Sequence, residues 1–302
     1  MSVDTPVKSP AAQTSSASAR TAPPVPLRRR LGRTGVRALV AVLLVVEIYP
    51  LVWMFLTSLK SNSDYLDHST WSLPTHWMWS NYSEAWTTGH IGRYVQNSLL
   101  AVLPSLALVL LLGAAAGFAL QVMVWKGRNL TLLVFLAGIM VPAQMILLPL
   151  FTVYFRTGLS GTLWPLILTY TGTGLPLTVF MMATYYKSLP TEVFEAATID
   201  GASILRSFWS ISLPMIRNAV LTVGLVQFFF LWNDLLVALT FTDNQDLRTV
   251  QVGLLNFSGD FGSTQYGPLF AAICINVLGT LVVYLFLNQK VMKGLTGGAV
   301  KG

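Results

Sequence analysis

Six apolar runs, each close to the length of a membrane-spanning helix, constrain this chain more than any other feature. They lie at about 36–58, 98–122, 130–152, 163–185, 215–239 and 269–288. A helix needs about 20 apolar residues to cross the hydrocarbon core of a bilayer, and it satisfies its backbone hydrogen bonds internally. Only 10% of the residues are charged. The runs therefore predict an all-α, polytopic membrane protein with six transmembrane helices.

The first 34 residues differ in composition from the rest of the chain. Ser, Ala, Thr and Pro dominate as far as Pro26, and a cluster of arginines follows: Arg28, Arg29, Arg30 and Arg33. Such a segment has too little apolar surface to offset the entropy of ordering, so 1–34 is predicted to be a disordered tail. The first apolar run is too long for a signal peptide and is interpreted as a retained span. Residues 35–302 then form one transmembrane domain.

Positive charge predicts the orientation of the spans. One set of alternate segments carries fifteen Lys and Arg residues: the tail with Arg37, then 123–129, 186–214 with Arg217, and 289–302. The other connections carry four, Lys60, Arg93, Arg156 and Arg248. Cytoplasmic loops of membrane proteins hold the excess of basic residues. The chain is therefore predicted to be a multi-pass protein of the bacterial cytoplasmic membrane, with both termini and the 188–214 connection in the cytoplasm.

The 188–214 connection has the local signals of two short helices. Pro190 suits the first turn of a helix, and Glu195 lies early in it, where the helix dipole favours an acid. Gly201 ends this helix, because glycine enters the left-handed conformation at little cost. Ser203 is predicted to cap a second helix that ends near residue 210. The apolar residues of the connection require a protein surface to pack against: Val193, Phe194, Ile199, Leu205, Phe208 and Trp209.

A spaced pattern within this connection resembles the EAA loop of bacterial ABC-importer permeases. It consists of Glu195-Ala196-Ala197, three residues, Gly201, nine residues, and then Ile211-Ser212-Leu213-Pro214. In that family the loop forms a coupling helix, which docks into a groove on the cytoplasmic ATPase subunit. The resemblance implies coupling roles for these residues: Glu195, Ala196, Ala197, Asp200, Gly201, Ile211, Leu213 and Pro214. The alternative is an amphipathic hairpin that lies on the membrane surface.

Other segments narrow the resemblance to carbohydrate permeases of the maltose type, specifically the shorter, six-span partner of the pair. They are Pro50–Lys60, Asn97-Ser98, Leu148–Phe151, Trp232-Asn233-Asp234 and Gly294–Gly302. The resemblance implies the type I ABC-importer permease fold in a binding-protein-dependent sugar importer. It also implies a second homologous permease, two ATPase subunits that carry ATP and Mg, and an extracytoplasmic sugar-binding protein. This chain is expected to hold no cofactor and no metal.

Two polar stretches inside the spans are candidates for a substrate pathway. The fourth run contains Tyr170, Thr171 and Thr173 among glycines and Pro176, which predicts a weakened helix of the kind that lines substrate paths. A kink stabilised by neighbouring helices is the alternative. The fifth run contains Trp232, Asn233 and Asp234, a ring and two hydrogen-bonding groups that suit a polyol. For Asp234, structural hydrogen bonding or an interfacial position is the alternative.

Three further features bear on packing and on the faces of the membrane. Gly113–Gly117 is a small-xxx-small pattern that predicts close helix packing, within this chain or against a partner. Cys274, the only cysteine, lies in an apolar run and is predicted to be buried and inert. Tryptophans in the 61–97 connection predict interfacial anchoring or docking of a binding protein. The 240–268 connection, with its acidic and glycine residues, predicts a second structured external loop.

Catalysis by this chain is not expected. The sequence has no P-loop, no H-E-x-x-H, no paired Cys/His metal spacing and no G-x-S-x-G nucleophile motif. Two alternatives to the sugar importer remain. One is a secondary transporter or channel that uses Glu47 and Asp234, although no internal repeat is evident. The other is an ABC permease for a non-sugar solute such as a glycerol phosphate. A phosphate would favour arginine in the spans, and the centres of the spans contain none.

Overall fold

The computed structural model of the chain describes residues 27–258 and 264–299, and regular structure in these two ranges is helical. The α-helices are α1 (Leu27–Thr57), α2 (Asn62–Asp67), α3 (Ser80–Thr87), α4 (Ile91–Gln121), α5 (Arg128–Ile139), α6 (Ala143–Arg156), α7 (Trp164–Lys187), α8 (Glu192–Ile199), α9 (Ile204–Arg206), α10 (Leu213–Met215), α11 (Arg217–Trp232), α12 (Leu236–Phe241), α13 (Val250–Gly253) and α14 (Tyr266–Ala299). A π-helical segment, Ser207–Ser212, joins α9 to α10, and 3₁₀ turns lie at Gln245–Leu247 and Leu254–Phe257.

The helices account for four of the six predicted spans as single helices, and for up to six if each of two bent pairs is counted as one span. Four stretches of the described chain are long and apolar enough to cross a membrane as single helices: Gly35–Thr57, Ile91–Gln121, Trp164–Lys187 and Tyr266–Phe286. Two bent pairs make up the other two spans if each pair is counted as one. They are α5 with α6, bent by 95°, and Ile204–Met215 with α11, bent by 74°. The prediction of a polytopic all-α fold is confirmed.

The third predicted span, 130–152, is not one helix. Helix α5 ends at Ile139, and α6 begins only after Pro142, whose backbone is extended (φ −64°, ψ 129°). Proline has no N–H to donate to the preceding turn, and it drives the residue before it out of the helical region. The sharp bend therefore has a local cause in the sequence, Val141-Pro142, which the count of apolar residues overlooks.

The fifth predicted span, 215–239, is also interrupted. Helix α11 ends at Trp232, and α12 starts at Leu236. The side chain of Asn233 donates from Nδ2 to the Phe229 carbonyl at 3.0 Å, and Asp234 Oδ2 accepts the Ala238 N–H at 3.0 Å. Asn and Asp side chains that bond to nearby backbone compete with a continuous helix and favour its ends. These two residues thus create a break inside an otherwise apolar run.

The fourth predicted span is continuous, so the expected weakening at Gly172–Pro176 is wrong. Helix α7 runs through all of these residues. Thr171 and Thr173 donate their hydroxyls to carbonyls one turn earlier in the same helix, at 2.7 and 2.8 Å. A neighbouring helix contributes Gln227, whose Nε2 donates to the Gly174 carbonyl at 3.1 Å. Threonine hydroxyls and partner helices satisfy polar groups of this kind in membrane helices.

Helices α4 and α7 pack closely along the Gly113–Gly117 pattern. A Cβ atom at Gly113 would overlap the side chain of Thr178, and one at Gly117 would lie 2.9 Å from the Cβ of Met182. Glycine lets two helix backbones approach each other where any side chain would separate them. The predicted close packing therefore occurs within this chain. Cys274 is buried, as predicted.

The chain divides into two compact units, Met1–Leu51 and Val52–Gly302. Residues 1–26 of the predicted tail lie outside the described residues. Helix α1 already begins at Leu27, so 27–34 are helical and not part of a disordered tail. Leu and Arg are good helix formers, which allows helix α1 to begin at the arginine cluster, before the apolar span that starts at Gly35. The apolar side chains of the first unit from Val36 onward are exposed.

Candidate functional site

The 188–214 connection has the predicted helix–glycine turn–helix form. Helix α8 ends at Ile199, and Gly201 follows with a left-handed φ of 76°. No atom lies within 4 Å of the position that a Cβ would take there, so the requirement for glycine comes from the backbone conformation alone. Ser203 caps α9, its Oγ accepting the Arg206 N–H at 3.3 Å. The connection is therefore an ordered element and not a flexible linker.

An aromatic cluster, the aromatic anchor, fixes one face of this connection to the spans. Phe118, near the end of α4, lies at ring-centroid distances of 5.9 Å from Phe194 in α8 and 5.6 Å from Phe208 in the π-helical segment. Tyr186 of α7 completes the cluster at 5.9 Å from Phe118. The Ser212 hydroxyl donates to Tyr186 Oη at 2.7 Å. Movement of the connection is thereby linked to α4 and α7 through direct contacts.

The opposite face of the connection is apolar and exposed. Ile199 is 86% exposed and Leu205 is 71% exposed, and Ile204 and Trp209 are more than half exposed. The sequence indicated that the apolar residues of this segment require a surface. The structure divides them, since Phe194 and Phe208 contact Phe118 and Val193 is half-buried, whereas the other three are exposed. An exposed apolar patch of this kind on an ordered element is typical of a protein docking site.

The residues of the EAA-like pattern lie on both faces. Ala197 lies on the buried face of α8, and Ile211 and Leu213 are half-buried. The other members of the pattern are exposed: Glu195, Ala196, Asp200, Gly201 and Pro214. Glu195 also lines a cavity of about 650 Å³ between the connection and the ends of the spans, together with the cationic residues Arg128 and Lys187.

A second cavity, the central cleft, lies among the middle portions of the spans. It has a volume of about 590 Å³ and is bounded by the bend between α5 and α6, by the middle of α7, and by the break between α11 and α12. Its wall is mostly apolar. The polar side chains that line it are Tyr154, Thr169, Tyr170, Thr173, Gln227 and Asp234. A largely apolar pocket with a few convergent polar groups is the usual form of a small-molecule site.

Asp234 occupies the polar end of the central cleft. Its Oδ2 accepts the Tyr170 hydroxyl and the Ala238 N–H, each at 3.0 Å. The described residues provide no hydrogen bond to Oδ1. Gln227 lies further along the wall and is almost fully buried, with Nε2 donating to Thr178 Oγ1 at 2.8 Å. The cleft thus combines a half-buried carboxylate, a phenol, hydroxyls and an amide, which are suitable partners for hydroxyl groups of a solute.

Three of the six predicted pathway residues line the central cleft, and three do not. Tyr170, Thr173 and Asp234 line it. Trp232 is buried instead, where its ring stacks on Phe228 at 5.5 Å and its Nε1 donates to Asn276. Thr171 points its hydroxyl back to its own helix, and Asn233 is exposed. The predicted use of Trp232 as a stacking ring in the pathway does not match its buried position.

Sequence reasoning missed two residues of these sites. Gln227 is a polar residue within an apolar run, Val223–Phe230, and such residues in spans usually face the protein interior, so its position carried a signal. Phe118 lies among other apolar residues of the second span, and nothing in its neighbourhood distinguishes it. Its role follows only from contacts with residues far along the chain.

The two connections predicted to be external are ordered by polar contacts. Asn97 Nδ2 donates to the carbonyls of Asp246 at 2.7 Å and Arg248 at 3.0 Å, which joins the start of α4 to the 240–268 connection. The predicted structured loop is thus present over its described part, whereas Asp260 lies outside it. The tryptophans of 61–97 are at least half exposed: Trp71, Trp77, Trp79 and Trp86.

Asp64, in α2 of the 61–97 connection, is a buried carboxylate with several polar neighbours. Burial raises its pKa, whereas hydrogen bonds from the Thr75 hydroxyl (2.8 Å) and backbone N–H (3.0 Å) lower it. The nearby charges of His68 and Lys60 act in the same direction, and the pKa is lowered overall. Among the described residues there is no group of three or more His, Cys, Asp or Glu side chains that could hold a metal ion.

Comparison with known proteins identifies the family. Residues 97–289 match the family described as "Binding-protein-dependent transport system inner membrane component". The chain is 37% identical to the diacetylchitobiose uptake system permease protein NgcG of Streptomyces coelicolor, over 85% of each chain. It is 29% identical to the melibiose/raffinose/stachyose import permease protein MelC of Bacillus subtilis, over 87% of this chain and 95% of the relative.

The fold is similar to that of a solved membrane protein. A chain in the crystal structure of a bacterial ABC transporter, involved in the import of the acidic polysaccharide alginate, superposes with a TM-score of 0.76. The superposition covers 89% of this chain and 99% of the other, at 18% sequence identity. The family match covers most of the chain, including the 188–214 connection and the central cleft. This chain therefore belongs to the family of inner membrane components of binding-protein-dependent transport systems.

Proposed function

We propose that this chain is the permease subunit of an ATP-driven sugar importer and forms half of its translocation pathway. The observation that carries the proposal is the 188–214 connection, with one face held by the aromatic anchor and an exposed apolar face opposite. A surface of that form is suited to receive force from a partner and to pass it to α4 and α7. The relatives named for diacetylchitobiose and for melibiose, raffinose and stachyose support a saccharide as the cargo.

The proposed partners follow from this arrangement. Two ATPase subunits bind ATP and Mg and hydrolyse the nucleotide, and one of them receives the exposed face that includes Ile199 and Leu205. A second, homologous permease supplies the other half of the pathway, and an extracytoplasmic binding protein delivers the sugar. Both termini lie in the cytoplasm, which the distribution of Lys and Arg supports. In this arrangement the Gly201 turn fixes the angle between the two short helices of the docking surface.

The central cleft is proposed to be the part of the pathway that this chain contributes. Tyr170, Thr173, Gln227 and Asp234 offer hydroxyl, amide and carboxylate groups to a polyol as it passes. The use of Asp234 and Glu47 as an ion relay, the earlier alternative, has less support. Asp234 already bonds to Tyr170 and Ala238, and the family is one of binding-protein-dependent systems.

A matched pair of glycine substitutions tests the coupling role. Gly201 and Gly158 both have a left-handed φ, 76° and 72°, and neither has an atom within 4 Å of a Cβ position. Valine at either site costs at least about 1–2 kcal/mol of backbone strain. Gly201→Val is expected to abolish sugar uptake while the chain remains inserted and binds its partners. Gly158→Val, in the turn after α6, is expected to leave uptake close to normal.

Charge reversal provides a second test. Glu195 shares its cavity with Arg128 and Lys187, whereas Glu192 lies on the same short helix and outside that cavity. Glu195→Lys places a third cation there and is expected to uncouple ATP hydrolysis from uptake. Glu192→Lys is expected to have little effect. Normal uptake with both Gly201→Val and Glu195→Lys would refute the coupling role, and purification without an ATPase subunit would refute the importer itself.

A further inference from the structure

Asp234 is the only residue with a formal charge among the described residues that line the central cleft. The remainder of the wall consists of apolar side chains, glycines, threonines, two tyrosines and Gln227. The basic residue closest in sequence to a lining residue is Arg156, two positions after Tyr154, and its side chain is exposed at the end of α6 outside the cleft wall. No cationic side chain is therefore present among the described residues of the cleft wall to neutralise this carboxylate.

The hydrogen bonds of Asp234 do not neutralise that charge either. Tyr170 and Ala238 both donate to the same oxygen, Oδ2, and both donors are uncharged. Oδ1 remains free to accept a hydrogen bond from a solute. Tyr170, Gly172 and Thr173 lie on the portion of α7 that faces the cleft, within one helical turn of each other. A solute at this level of α7 is close to the carboxylate.

We infer that Asp234 makes the central cleft selective by charge, so that neutral and positively charged saccharides pass and anionic ones are disfavoured. This inference rests on the proposed function, because it assigns a cargo class to the proposed pathway. A unit negative charge about 8 Å from Asp234, at an effective dielectric constant of about 20, is disfavoured about 30-fold relative to a neutral group. Uronates, sulfonated sugars and sugar phosphates belong to the disfavoured class, and amino sugars to the favoured one.

The rate at which a cysteine in the cleft reacts with charged reagents reports the electrostatic potential of the cleft, and it does so without transport. Gly172 lines the cleft and has open space at its Cβ position, so Gly172→Cys introduces a thiol there without a clash. The native thiol, Cys274, is buried and gives a low background. The complete importer in membrane vesicles is treated with sulfonatoethyl or trimethylammonioethyl methanethiosulfonate. The rate of modification of this chain by each reagent is followed by mass spectrometry.

The expected result is a high ratio of cationic to anionic rates at Gly172→Cys, which falls about tenfold or more when Asp234→Asn is added. Asparagine keeps the shape and an oxygen that accepts the same hydrogen bonds. Tyr170→Phe, which removes a hydrogen bond but no charge, should leave the ratio unchanged. Ser83→Cys, exposed on α3 away from the cleft, should show no response to Asp234→Asn.

Each outcome decides the inference. A ratio at Gly172→Cys that is insensitive to Asp234→Asn would overturn the charge selectivity while leaving the proposed pathway intact. Failure of both reagents to reach Gly172→Cys, with Ser83→Cys fully reactive, would overturn the pathway assignment and the inference together. A fall in the ratio in a complex that does not transport sugar would support the inference and count against the proposed function alone.

Discussion

Removal of the Phe118 ring is expected to release the 188–214 connection from the spans. Phe118 is buried and contacts three other aromatic rings, those of Tyr186, Phe194 and Phe208. Each aromatic pair is worth about 0.5–1.5 kcal/mol beyond the area that it buries. Two of these pairs, those with Phe194 and Phe208, join α4 to the connection, so Phe118→Ala lowers the free energy that holds the connection against the spans by about 1–3 kcal/mol. Since about 1.4 kcal/mol corresponds to a factor of ten, this raises the population of the released state about 5- to 150-fold.

Amide hydrogen exchange measures this release directly. Backbone amides of 192–212 are expected to exchange about 5- to 150-fold faster in Phe118→Ala, because they exchange through local opening. Phe180→Ala removes a ring of the same kind from the exposed side of α7 and should leave their exchange unchanged. Sugar uptake should fall in Phe118→Ala while the ATPase subunits remain bound. Unchanged exchange in 192–212 would show that the aromatic anchor does not hold the connection.

Three further predictions concern stability. Gly117→Val should lower the thermal midpoint of the purified chain by several degrees because its side chain meets Met182, whereas Gly279→Val, with open space around it, should change it little. Gln227→Leu should cost about 1–3 kcal/mol through two lost buried hydrogen bonds, measured as a lower thermal midpoint, and an unchanged midpoint would contradict it. Because the pKa of Asp64 is lowered in the folded chain, its ionised carboxylate stabilises the fold at pH values above 3.8, the ordinary pKa of Asp. That stability is lost as the pH falls through the lowered pKa, so the midpoint of the native chain should drop more between about pH 5 and about pH 3 than that of Asp64→Asn.

Some parts of the fold could be predicted because their causes are local. Gly201 adopts a left-handed backbone, and Ser203 caps the helix that follows, as the residue types alone indicated. The bend at Pro142 has an equally local cause, and attention to the missing N–H of proline would have predicted it. The interruption near Asn233 is of the same kind, since its amide side chain bonds to the backbone beside it.

The assignment of the pathway residues shows where sequence reasoning fails. Trp232 and Asp234 are two positions apart, and the prediction from sequence placed both in the substrate pathway. In the structure Trp232 turns to Asn276 in α14, and Asp234 turns to Tyr170 in α7. Because the helix is interrupted between α11 and α12, the two side chains point toward different neighbouring helices. Gln227, which lies in the cleft wall, gave only the weak signal of one amide among apolar residues.

Local features of the sequence are enough to predict an all-α membrane protein with a helix–glycine turn–helix connection between two apolar runs. The length of an apolar run, the left-handed glycine and the serine cap act within a few residues, so each can be inferred from its own neighbourhood. Which helix faces contact each other, in contrast, depends on the packing of the whole chain. A span that is apolar all round has no polar stripe to mark its buried side. The inward turn of Phe194 and Phe208 toward Phe118, and the outward turn of Ile199, therefore depend on contacts between residues distant in the chain.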